Sequence, residues 1–585
     1  MALLVLVITL VIVILGYRFY ASKMDREVIQ SDPKRATPAT LYQDGVDFMP
    51  ASGSVLFGYQ FKSIAALGPI VGPIVAVQWG WLPAVLWLVI GVFFIGWVQD
   101  YASAMLAMRN EGMTLGGLSY KLISPRARGI LLSFLYFYLL LIMGAFGYVV
   151  AGLLANPVVP FGFLFLTLAG LLAGQMTYRW KQDLLFTTVL TVALALIGIW
   201  LGTTGFFTNI AQGINGLAGD AEGVLYKTPY GPMKWSVWLW GIVALAFCYL
   251  GSVLPIWRFA QPINYTSFWF VLLGIVGSIV GIFLATLGVG TAKTNFAIPA
   301  FVTWNQPHLG WLWPILFVTI SCGAISGWHS LVSTSGTARQ LEKETDALPV
   351  GAGAMYTEAV LGVLSVVFAV TATAGTFYDP TQNWKLTAKA GGVFADGMSR
   401  FLGVLGVPAD LGTAIGSIFL AVMALTVMQL VLRFMRVASA ELIGDKIVAF
   451  KNPHVGSIVA ILFTLLILWT GFWQRIWVLF GGANQLFAGL ALLLITIWLA
   501  REGKAYNWTF WPAVFMYVTT VTALLITAYK SFNAAFEPGI EAAFVFGNLV
   551  AGLIGLFLAL AALLLAYDGL RSFQRARTEM AMAAR

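Results

Sequence analysis

The chain runs to 585 residues, of which 60% are hydrophobic and only 10% charged, where a soluble domain carries roughly 25% charged residues. That excludes a soluble globular protein and implies an all-α polytopic membrane protein with room for many spans of about 20 residues each. The +9 formal charge does not point to nucleic acid, because no basic patch is interleaved with stacking aromatics outside the apolar runs.

Taken in chain order, apolar runs predict about fifteen transmembrane helices, near 2–20, 54–79, 82–108, 129–154, 160–178, 184–205, 235–257, 266–288, 311–332, 353–374, 411–434, 455–471, 475–500, 508–528 and 544–569. The first has no basic segment before it and no small-residue cleavage site after it, while Arg18, Lys23 and Arg26 follow directly, so it reads as a retained anchor. Assigning the loops alternately puts 24 Lys/Arg on the side of the 21–50 loop and eight on the other, with Lys62 left inside a span. That asymmetry predicts the N-terminus outside and the C-terminus cytoplasmic. Cys248 and Cys322 both fall within spans, and His308, His329 and His454 are too scattered for a ligand set, so neither a disulfide nor a metal site is expected. No cofactor is expected either.

Two spans carry irregularities. In 54–79 the run Ile64-Ala65-Ala66-Leu67-Gly68-Pro69-Ile70-Val71-Gly72-Pro73 cannot remain a regular helix, since each proline removes an amide donor and clashes one turn back. Such a break is tolerated at membrane depth only against protein or a wet cavity, and it opens free amides to an anion and free carbonyls to a cation. Five spans later Gly251-Ser252-Val253-Leu254-Pro255 predicts a second break within 235–257. Two broken helices five spans apart would cross in opposite directions. The expected organisation is therefore an anchor and cytoplasmic segment (1–50), a first five-helix repeat (51–205), an inverted second repeat (206–440) and supporting helices (441–585). Span nine, read as an unbroken helix lying against the first break, offers the Ser321 and Ser326 hydroxyls to a cation. Hydrogen bonding within the helix is the other reading of these serines.

Several motifs resemble the carbon starvation protein CstA family: Arg35-Ala36-Thr37-Pro38-Ala39, Val55-Leu56-Phe57-Gly58 before the break, Val98-Gln99-Asp100, Ile320-Ser321-Cys322-Gly323-Ala324-Ile325-Ser326-Gly327-Trp328-His329, Glu344-Thr345-Asp346 and Leu479-Phe480-Gly481-Gly482-Ala483-Asn484-Gln485-Leu486. The resemblance extends from about residue 17 to at least 490. It implies a LeuT/APC-like core of inverted five-helix repeats and a plasma-membrane transporter used when nutrients run short, with peptides as the usual substrate and pyruvate for some members. The chain departs from the family pattern at Gly58-Tyr59-Gln60-Phe61, at Lys62, at Ile263-Asn264-Tyr265 and at Val427-Met428-Gln429-Leu430.

The substrate-binding candidates are Tyr59, Gln60, Gly68, Pro69, Gly72, Pro73 and Ser252. Candidates for the coupling ion, a proton or sodium, are Lys62, Ser321, Ser326, Asp100 and Glu358. Lys62 has three readings: a fixed ammonium replacing a coupling sodium or meeting a substrate charge, a titrating group, or a side chain snorkelling to the interface. Asp100 and Glu358 are expected to pair with Lys62, relay protons or make structural hydrogen bonds. Gln99, His329, Asn484 and Gln485 are further candidates, the last two expected to bond between helices. With no GxSxG, no HExxH and no paired intramembrane aspartates, an enzyme is not expected. The reading is thus a secondary importer of peptides, with pyruvate or another short organic acid as an alternative and a nutrient sensor or channel as the other. The sequence leaves the oligomeric state open.

Overall fold

The computed structural model describes residues 1–583. Among them thirteen helices are long and apolar enough to cross a membrane, and one bent pair makes a fourteenth span. In chain order the helices are α1 (Ala2–Ile29), the bent pair α2 (Gly53–Ile64) and α3 (Gly68–Trp79), α4 (Trp81–Met108), α5 (Pro125–Leu154), α6 (Pro160–Arg179), α7 (Leu184–Gly202), α8 (Trp235–Val253) and α9 (Ala260–Thr286). There follow the short α10 (Gly327–Ser335), α11 (Glu344–Val370), α12 (Ala409–Ile443), α13 (Pro453–Thr470), α14 (Trp473–Arg501), α15 (Asn507–Ala535) and α16 (Ala542–Met582). These match fourteen of the fifteen predicted runs. Helices α11, α12 and α14 are almost wholly enclosed, whereas α1, α7 and α13 bury only a minority of their apolar stretch. A helix hydrophobic all round has no outward face to lose, so it can be surrounded by others or by lipid.

The first break falls inside the expected run 64–73, at its leading end. Helix α2 ends at Ile64, Ala65 is extended (ψ 94°), and α3 starts at Gly68 with Pro69 in its first turn. Pro is tolerated there because that amide has no partner in any helix. The glycine-proline pairs therefore belong to the second half-helix, Pro73 inside it, and the axis bends by 45° across residues 65–67.

The second break is not where the sequence placed it. Helix α8 runs uninterrupted through Gly251 and Ser252 to Val253, and Pro255 lies beyond its end. Leu254 is extended, as the residue before a proline prefers to be. Instead the ninth predicted span is interrupted. A single turn, Phe317–Thr319, stops at Ile320, residues 320–326 leave the helix, and α10 begins at Gly327. The expected continuous helix over 311–332 is thus two short pieces, and the five-span spacing between breaks does not hold.

Beneath this core the loop leading into α2 is tied down at one end of the bundle. The Asp47 carboxylate pairs with Arg433 and, at 3.5 Å, with Arg436 of α12. Val46 O accepts from Ile256 N (2.9 Å), and Ala51 N donates to Gln340 O (2.9 Å). Nearby, the buried Glu344 holds Arg109 (3.2 Å) and Arg35 (3.7 Å), which gives two of the recognised motifs a common purpose. Burial alone would raise the Asp47 carboxyl, but the Arg433, Arg436 and Arg339 guanidiniums hold it below its usual range. A depressed carboxylate contributes stability in full above its unfolded value, about 3.9, and loses it as the pH falls through the lower folded value. Asp47→Asn should therefore destabilise the purified protein at pH 7 by about 1–3 kcal/mol. Thermal melts of wild type and variant should converge as the pH drops below about 4, and a gap that persists there would remove the ion pair as its cause.

Candidate functional site

The start of α3, directly after the first break, presses against the second break. A Cβ added at Gly68 would stand 2.3 Å from Cys322 Sγ, and one at Gly72 2.4 Å from Thr319 O. At Gly72 the obstacle is the opposing main chain, an approach that only glycine allows, whereas at Gly68 it is the Cys322 side chain.

Breaking a helix frees the carbonyls of its last turn, and here side chains take them. Phe317 O accepts from Trp87 Nε1 (3.1 Å) and Gln485 Nε2 (2.6 Å), and Ile320 O from the same two side chains. Ser326 O accepts from Gln99 Nε2 (2.6 Å), and Ser63 O at the end of α2 from Trp328 Nε1 (2.7 Å). Asn484 Oδ1 gathers Tyr138 OH (2.6 Å), Ser326 Oγ (3.0 Å) and Trp328 N (3.1 Å). Gln99, Asn484 and Gln485 are thus the pins that hold the second interruption open.

Directly after that interruption, α10 delivers His329 into a buried acidic pair. His329 Nδ1 is 3.1 Å from Asp100 Oδ2 of α4, and Nε2 is 3.2 Å from Glu358 Oε2 of α11. All three residues have no exposure to solvent. Asp100 Oδ1 and Glu358 Oε1 make no hydrogen bond, and Nε2 faces Glu358 without hydrogen-bond alignment. Two acids and an imidazole with spare oxygens form a place where protons can be held and exchanged in the interior of the protein.

The other predicted residues fall around this centre. Lys62, in the last turn of α2, is fully buried and donates to Thr426 Oγ1 of α12 at 2.6 Å, which removes the snorkelling reading. Asp100 and Glu358 lie at His329 and not within ion-pair distance of Lys62. Gln60 bonds Ser333 (3.1 Å) and Thr337, bridging α2 to α10 and its exit, and Tyr59 is buried with its hydroxyl unpartnered. Pro69 and Pro73 are buried in α3, with Pro69 beside Gly323. Ser321 is buried next to Cys322, whereas Ser326 Oγ is already engaged by Asn484.

Ser252 does not join them. Its hydroxyl meets Ser457 of α13 at 2.8 Å. Ser252→Ala should cost about 1 kcal/mol of stability and leave the substrate KM unchanged in an uptake assay. Thr426, Trp87 and Tyr138 were not singled out from the sequence. Each is an ordinary residue of an apolar helix until the fold brings it to a break.

The sequence profile of the family described as "Carbon starvation protein CstA" matches residues 1–390 and 376–523. A peptide transporter CstA of Campylobacter jejuni is 29% identical, the alignment covering 87% of this chain and 78% of the relative. The corresponding peptide transporter of Bacillus subtilis is 27% identical, with 88% of each chain covered. A pyruvate/proton symporter, BtsT of Escherichia coli, is 30% identical over 64% of this chain and 50% of its own length. Among solved structures, a manganese transporter of Eremococcus coleocola aligns over 91% of this chain and 99% of its own at 12% identity, with a TM-score of 0.42.

Proposed function

Because the chain belongs to the carbon starvation protein CstA family, we propose that it is a secondary transporter of the plasma membrane that imports small carboxylate-bearing nutrients, peptides first, driven by protons. The observation that carries this is the pair of interrupted helices in contact at Gly68–Cys322 and Gly72–Thr319, with the buried Asp100, His329 and Glu358 immediately behind them. Interrupted helices supply backbone dipoles to a substrate, and a buried acid-imidazole cluster supplies the proton site that a symporter needs. Counted in the predicted order, the interruptions fall in the second and ninth runs, an odd separation, as an inverted arrangement of two halves requires. The basic loops support a cytoplasmic C-terminus.

Pyruvate is the second reading, favoured by the resemblance to a protein named a pyruvate/proton symporter. Both kinds of solute carry a carboxylate. The test is uptake of labelled dialanine and labelled pyruvate into proteoliposomes holding the full chain, under an imposed proton gradient or an imposed sodium gradient. Saturable dialanine accumulation that follows the proton gradient is the expected result. Saturable uptake of pyruvate alone would select the second reading, and gradient-dependent uptake of neither would overturn the proposal.

A further inference from the structure

Lys62 is a charge with no counter-charge in contact with it. Its ammonium sits at 0% exposure and finds only neutral oxygens, Thr426 Oγ1 at 2.6 Å and Met423 O at 3.5 Å. Among the described residues no carboxylate lies within 4 Å of it. The buried Glu358 carboxylate faces His329 instead. A buried ammonium with one good hydrogen bond leaves donors unused, and an unpaired buried charge is held at a cost of several kcal/mol. Such a charge persists where a ligand completes it.

The surroundings are those of an anion site. Lys62 stands in the last turn of α2, immediately before the break at residues 65–67. Thr426 already donates to Val422 O (2.7 Å), so its oxygen accepts from Lys62 and the two form a fixed unit. Gln429 lies three residues along α12 from Thr426, buried beside Gly251 of α8, with both its amide nitrogen and its oxygen unpartnered. An ammonium and a free amide N–H on adjoining helices are the donors that the two oxygens of a carboxylate require.

Resting on the transporter reading above, we infer that Lys62 is the residue that reads the substrate's carboxylate, with Gln429 as the second donor, so that the site selects free acids over their amides. The peptide C-terminus and the pyruvate carboxylate present the same group to it, which is how one site chemistry serves both solutes.

The experiment uses the full chain in proteoliposomes. For the wild type, uptake of labelled dialanine is competed with unlabelled dialanine and with dialanine amide, and uptake of labelled pyruvate with pyruvate and pyruvamide. The acid should compete about tenfold or more better than the amide. In Lys62→Met the KM for the acid should rise by a similar factor, with the maximal rate less affected, and the preference for acid over amide should collapse. Lys62→Arg should keep that preference. Equal competition by acid and amide in the wild type overturns the inference, and so does a Lys62→Met protein with unchanged KM and preference. If Lys62→Met does not fold, the wild-type competition decides alone. Absence of saturable wild-type uptake of either solute fails the transporter reading itself, and the inference falls with it.

Discussion

His329→Gln should abolish accumulation driven by a proton gradient and lower the thermal stability of the purified protein by about 3–5 kcal/mol. With all four groups ionised, Lys62 and His329 balance Asp100 and Glu358, and the interior carries no net charge. Removing the imidazolium leaves one negative charge in excess at a site with no exposure to water. The cost is that of an uncompensated buried ion. Restoring the balance separates the two losses. In His329→Gln combined with Glu358→Gln the remaining charges, Lys62 and Asp100, again cancel, so melting should return toward the wild-type temperature. Accumulation should not return, because the imidazole and one acid proposed to carry the proton are gone. Substrate exchange across a membrane with no gradient should survive in the double variant, since exchange moves no net proton. Recovery of gradient-driven accumulation in it would show that the cluster stabilises the protein without carrying the proton.

How much of this centre could be read in the sequence depends on which forces define each part. Apolar runs located fourteen of the spans because the bilayer imposes their length, and the first break was found because proline removes a donor whatever the context. The same reasoning misplaced the second break. Pro255 stands just past the end of α8, where it merely stops the helix. The real interruption, residues 320–326, has no proline; small residues there let the chain leave the helix because Gln99, Asn484 and Gln485, from two other helices, satisfy the freed backbone. Asp100, Glu358 and His329 were all visible as ionisable residues within spans. Their convergence was not, because it depends on α4, α10 and α11 meeting, which no local spacing encodes. The same holds for Lys62, whose partner Thr426 lies 364 residues away.

Gly72→Ala should disable transport and destabilise the fold, and the way it fails distinguishes contact between two backbones from contact with a side chain. Its new methyl group would stand 2.4 Å from Thr319 O and 3.3 Å from Ile320 Cα, both main-chain atoms of the opposing break. No neighbouring side chain can move to make room, so the interrupted segments must separate, at a cost of about 1–3 kcal/mol. At Gly68 the obstacle is different: Cys322 Sγ at 2.3 Å and Cβ at 2.5 Å, with the Cys322 Cα at an ordinary 3.6 Å. Gly68→Ala should therefore be comparably harmful alone yet largely rescued by Cys322→Gly, which removes both obstructing atoms. The Gly72 variant should not be rescued by any side-chain truncation opposite it. Melting temperatures and dialanine uptake for the two singles and the Gly68→Ala/Cys322→Gly double give the coupling energy directly. Additive losses in that double would mean that the two breaks are not in contact when the carrier works. A favourable coupling with recovered uptake ties the substrate path to the crossing of the breaks, since only there do these residues meet.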